Sequence, residues 1–101
     1  MDLNKKFNIK INSIKRLNKE NNYYDNFIFK TKQNIETMEN NNTNIYDIKY
    51  HKEILRETIL VKQTTINLIK QYTTDLKELV NEHLEDGNID SEIIEQINSI
   101  E

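Results

Sequence analysis

Over the first forty residues, apolar side chains recur at alternating steps of three and four: Leu3, Phe7, Ile14, Leu17, Tyr24, Ile28, Ile35 and Met38. That spacing places them on one heptad seam and predicts a single long helix over about residues 5–40. Lys10, Asn21 and Thr31 interrupt the seam, and such polar positions lower the stability of a helical pair while fixing its register. The run Asn40-Asn41-Asn42-Thr43-Asn44 should stop the helix, because short polar side chains compete for backbone hydrogen bonds and favour turns and caps. Five residues are an ordinary length for joining two antiparallel helices, so this run is expected to be the tip of a hairpin.

The pattern then resumes. Ile45, Ile48, Leu55, Ile59, Ile66, Ile69, Leu76 and Val80 form a second predicted seam, interrupted by Lys52, Lys62 and Thr73, on a helix over about 46–84. At about 1.5 Å per residue, each long helix should exceed roughly 50 Å. Thr64-Thr65-Ile66 and Thr73-Thr74 are β-branched stretches where intrinsic helicity weakens, and a bend is expected there. The helix should end in Glu85-Asp86-Gly87-Asn88, where the glycine can adopt the left-handed closing conformation. A short third helix follows, with Asp90 as its cap, Ile89 and Ile94 spaced as a hydrophobic staple, and Ile93, Ile97 and Ile100 on one face. A helix of about eleven residues is marginal alone, so it must pack on the hairpin, beside the start of the first helix and the end of the second. Its shortness leaves residues around 26–59 as a two-helix segment with an incompletely covered seam.

Composition supports this reading. There is no Pro and a single Gly in 101 residues, whereas sheets need frequent turn residues. With 36% hydrophobic and 31% charged residues, the chain can furnish narrow seams more readily than a thick core. The expected fold is all-α: an elongated, coiled-coil-like antiparallel three-helix bundle, with residues 1–101 as a single domain.

Charge adds a polarity that the apolar pattern lacks. The net charge of −3 argues against general nucleic-acid binding. Residues 1–50 nevertheless carry nine Lys/Arg against six Asp/Glu, while residues 51–101 carry five against eleven. Between Asp2 and Glu20 every charged residue is basic: Lys5, Lys6, Lys10, Lys15, Arg16 and Lys19. From Asp75 onward nine acids face only Lys77, so the C-terminal arm can neutralise the N-terminal strip, or the strip can meet a partner.

Candidate chemistry is sparse. With no Cys, thiolate catalysis, disulfides and cysteine-based zinc sites are excluded, and a reducing compartment is compatible. The longest aliphatic run, Ile59-Leu60-Val61, is far short of the ~20 residues that cross a bilayer, and no signal-peptide core is present; no membrane association and a cytoplasmic location are expected. His51, four residues after Asp47, could supply two metal ligands, but a third and fourth are lacking, so no metal site is expected; His83 suits a helix C-terminus. One glycine cannot build a phosphate-cradling loop, and no nucleophile has a base beside it, so neither enzymatic activity nor a cofactor is expected. Phe27 and Phe29 flank Ile28 and cannot both enter a two-helix seam; at least one should be exposed.

The segments Ile14-Lys15-Arg16-Leu17-Asn18-Lys19-Glu20, Ile35-Glu36-Thr37-Met38, Tyr46-Asp47-Ile48-Lys49 and Glu53-Ile54-Leu55-Arg56-Glu57-Thr58 resemble the tubulin-binding cofactor A family in residues, order and spacing. The resemblance runs over roughly residues 8–80 and includes polar matches that heptad periodicity does not demand. It implies a three-helix chaperone that captures β-tubulin folding intermediates and passes them toward αβ-heterodimer assembly, in the cytoplasm and in association with the cytoskeleton. Other tubulin-folding cofactors are further implied partners, and the chain is expected to be a monomer or weak homodimer. By position, the partner-binding residues would be Lys15, Arg16, Lys19 and Glu20 on the first helix, and Tyr46, Asp47, Lys49, Glu53, Arg56 and Glu57 on the second. Tyr50-His51 replace a more usual Lys-Gln pair, the Pro often found midway along the second helix is missing, and the third helix is shorter than in longer members. The competing expectation is a generic coiled-coil adaptor or a self-associating scaffold or trafficking bundle, since helical bundles serve many roles.

Overall fold

A computed structural model of the protein describes residues 2–85, 87 and 89–100. Three helices account for nearly all of them: α1 (Leu3–Asn40), α2 (Ile45–His83) and α3 (Ser91–Ile100). No strand occurs among the described residues, and the fold class is all-α.

The turn between α1 and α2 follows from its asparagines. Asn42 sits in the left-handed region at φ 53°, the Thr43 amide donates to the Met38 carbonyl at 3.0 Å, and the Asn42 amide donates to that of Glu39 at 3.3 Å. This pair of bonds is the Schellman closure, with asparagine where glycine is most common. Two residues later Asn44 starts α2: its Oδ1 accepts from the Tyr46 amide at 2.8 Å, and its carbonyl accepts from the amides of Asp47 and Ile48. At the far end α2 stops at His83, Leu84 and Glu85 lie in a turn, and Gly87 has φ +66°. Asp86 and Asn88, part of the expected stop, lie outside the described residues. The Asp90 carbonyl accepts from the amides of Ile93 and Ile94 and so begins α3. Of the expected staple pair, Ile89 packs on the core while Ile94 is 43% exposed.

The described residues divide into two compact units, each taking part of both long helices. The three-helix unit comprises Met1–Lys19 and Asn67–Glu101; the two-helix unit comprises Glu20–Ile66. In the three-helix unit Phe7, Ile11 and Ile14 of α1, Leu76 of α2, and Ile93 and Ile97 of α3 form one buried cluster, lined by Leu3, Tyr72, Leu79, Val80, Ile89 and Ile100. The third helix therefore packs where connectivity predicts. Ile11 was outside the predicted seam yet is fully buried, because a helix with two neighbours must bury a wider face than a two-helix seam requires.

In the two-helix unit the ion pairs Lys52–Glu39 (2.9 Å) and Lys62–Asp25 join α2 to α1. As α2 advances from 52 to 62 its partner on α1 recedes from 39 to 25, which is antiparallel packing. Thr31, Ile35 and Thr65 are buried, and Asn21 places a buried Oδ1 in the seam without a protein partner among the described residues.

The predicted seam of α2 requires a correction. Ile45 (72%) and Ile59 (45%) are exposed, whereas Thr65 is buried and Thr58 half-buried. One set of seam positions falls a residue earlier than predicted over this stretch, at 51 and 58 in place of 52 and 59; farther on, Ile66 and Val80 are half-buried beside Thr65 and Leu79, and Val80 packs against the core as predicted. Threonine can serve in the seam because its hydroxyl folds back on its own helix: Thr58 Oγ1 donates to the Ile54 carbonyl at 2.8 Å and Thr65 Oγ1 to that of Val61 at 3.1 Å. Thr64 and Thr74 bond back in the same way, and α2 remains helical through both β-branched stretches where weakness was expected.

Candidate functional site

Five of the six polar residues singled out on α2 form one face. Tyr46, Asp47, Lys49, Glu53, Arg56 and Glu57 are all exposed, and 46, 49, 53 and 56–57 recur at helical spacing on the side opposite the seam. The Asn44 cap fixes where this face begins. Asp47 lies in the first turn, where the helix dipole favours an acid. The Asp47 carbonyl accepts from His51 Nδ1 at 2.8 Å, which ties the ring to the main chain one turn back. Tyr50, 65% exposed, meets the His51 ring edge-on at 5.6 Å between centroids. Arg56 donates to Glu53, three residues earlier, and that carboxylate holds the guanidinium above its ordinary pKa.

Sequence reasoning passed over two residues of this surface. Leu60 is 61% exposed and Val61 47%, directly continuing the polar face by one turn. The misplaced seam hid them, since both sit beside Ile59, which was predicted to be buried. On α1 of the same unit Phe29 is 62% exposed while Phe27 is half-buried, as their flanking positions require. Tyr23 stacks on Phe27 at 6.3 Å and meets Tyr24 edge-on at 5.9 Å.

The α1 residues are also exposed, but they divide: Lys15, Arg16 and Lys19 belong to the three-helix unit, and Glu20 to the two-helix unit with all six α2 residues. Among the described residues none of Lys5, Lys6, Lys10, Lys15, Arg16 and Lys19 lies in an ion pair, although α3 carries Glu92 and Glu95 in exposed positions. Lys6 and Lys10 instead border an open groove with Ile9 and Leu79, which continues past Ile9 and Lys10 to Ser13, Tyr72 and Asp75. A separate groove beside α3 is lined by Lys77, Val80, Asn81, Ile97 and Asn98.

These surfaces are suited to holding another macromolecule: broad helical faces with exposed aromatic, aliphatic and mixed-charge residues. Among the described residues no three His, Asp or Glu side chains are grouped to hold a metal ion. No described helix is long and apolar enough to cross a membrane. Neither a curated protein nor a solved structure matches the chain. A model of one family, tubulin binding cofactor A, matches residues 2–100, nearly its whole length. The chain therefore belongs to the tubulin binding cofactor A family.

Proposed function

We propose that this tubulin-binding cofactor captures β-tubulin folding intermediates and passes them toward αβ-tubulin heterodimer assembly, acting in the cytoplasm beside the other tubulin-folding cofactors. The family match over residues 2–100 carries the reading. The geometry supports it: five of the six matched polar residues of α2 lie together on an exposed face, extended by Leu60 and Val61 and flanked by Tyr50. Exposed aromatic and aliphatic groups cover apolar client surface, while the surrounding charges keep the chaperone soluble and steer encounter. Lys15, Arg16 and Lys19 supply a second, cationic contact, and none of the three lies in an ion pair among the described residues.

The test is capture of newly translated tubulin by immobilised protein at physiological salt. β-Tubulin is expected to be retained in preference to α-tubulin, and joint replacement Arg16→Glu with Lys19→Glu to weaken retention while helicity by circular dichroism is unchanged. Equal retention of both tubulins would remove the β preference. Unchanged capture by the double variant would remove the α1 residues from the contact.

A further inference from the structure

The groove of the three-helix unit is independent of the α2 face. Its floor is apolar: Ile9 is 50% exposed, and Tyr72 and Leu79 are only partly buried although they pack against the core. None of its lining residues comes from α3, which packs along the other groove. This side of the α1–α2 pair thus has no helix over it.

Its electrostatics point to one kind of occupant. Lys6 and Lys10 are four residues apart on one wall, so both ammonium groups lie on the same edge of α1. Neither has an ion-pair partner among the described residues. Asp2 stands at the start of α1, where its Oδ1 accepts from the Asn4 amide at 3.4 Å, so that carboxylate serves the helix end. An anionic group entering the groove would meet Lys6 and Lys10. On the opposite wall Asp75 disfavours carboxylates, so acids entering the groove are directed to the α1 edge.

We propose that this groove docks an amphipathic helix of a partner protein, with apolar residues on Ile9, Tyr72 and Leu79 and an acidic edge against Lys6 and Lys10. The inference stands apart from the tubulin reading, and its test uses no tubulin.

The probe is a fluorescent synthetic helix of about four turns with Leu at i, i+3, i+4 and i+7 and Glu along one flank. Two matched probes carry Lys for Glu or Ser for Leu. By fluorescence anisotropy at physiological salt, the Glu/Leu probe is expected to bind the full chain and both matched probes to bind at least about tenfold more weakly. The double variant Lys6→Glu, Lys10→Glu should lose binding by about tenfold or more. Its thermal stability should hold, since neither lysine has an ion pair to lose among the described residues; a merely structural role for the lysines would lower it. Lys30→Glu with Lys32→Glu, an equal charge change in the two-helix unit, should bind as wild type, and Ile9→Ser should weaken binding.

Equal loss in the two double variants, or equal affinity for the Glu/Leu and Glu/Ser probes, would reduce the effect to bulk charge and overturn the proposal. So would a groove filled by a second copy, seen as a sedimenting dimer that Lys6→Glu, Lys10→Glu dissociates and that excludes the probe.

Discussion

The two units of this molecule are made from the same two helices, yet their interiors differ in kind. In the three-helix unit the buried residues are Phe7, Ile11, Ile14, Leu17, Leu76, Ile93 and Ile97, all apolar. In the two-helix unit Ile35 shares burial with Thr31 and Thr65, and Phe29, Ile59, Leu60 and Val61 are exposed. The third helix accounts for this: a pair of helices covers only a stripe of each partner, and a third neighbour converts partly covered flanks into interior. Without that neighbour the two-helix unit relies on a thin seam, buried threonines and ion pairs. Exposed pairs of this sort contribute only about 0–1 kcal/mol each. Local opening should therefore be easier there, and that is the unit carrying the α2 face proposed to receive the client.

Core substitutions should break the comparison most sharply. Phe7→Ala removes a fully buried ring from the three-helix unit and should cost about 3–5 kcal/mol in chemical denaturation. A cost below about 1 kcal/mol would mean that α3 does not complete a packed core. An intermediate effect is expected at the hairpin turn: Asn44→Ala removes the side-chain acceptor of the Tyr46 amide and should destabilise by about 1 kcal/mol, within a range of roughly 0.5–2. Amide exchange should show the loss concentrated at the start of α2. The smallest and most diagnostic change is Thr65→Val. Because the hydroxyl only bonds back to the Val61 carbonyl, replacing it with a methyl group should be neutral or stabilise by up to about 1 kcal/mol. A loss of more than about 1 kcal/mol would show that the hydroxyl has a role across the seam.

These particulars also show how far the chain could be read before its structure was known. The α1 seam, the asparagine turn and the placement of α3 were legible from heptad spacing, from short polar side chains that favour turns and caps, and from antiparallel connectivity, whereas the expected Ile89–Ile94 staple left Ile94 43% exposed. The α2 seam was misread at Ile59, which outranks Thr58 in hydropathy, because sequence does not reveal that a threonine hydroxyl is satisfied within its own helix. Ile11 was missed for a different reason, since its burial depends on a neighbour distant in sequence. The exposure of Tyr46, Asp47, Lys49, Glu53, Arg56 and Glu57 was legible, because none of them falls on the predicted seam. Leu60 and Val61 were not legible, because an apolar pair beside a predicted seam reads as core. Whether the basic strip pairs with α3 or stays open to a partner needed side-chain geometry, since the charge distribution allowed both, and no ion pair of the strip occurs among the described residues.

The measurement closest to the central claim is hydrogen–deuterium exchange of the free protein and of its complex with newly folded β-tubulin. If the α2 face receives the client, amides over residues 46–61 should become protected on binding, with a second protected stretch around 15–20, while α3 exchanges as in the free protein. Protection confined to α3, with residues 46–61 unchanged, would contradict the account.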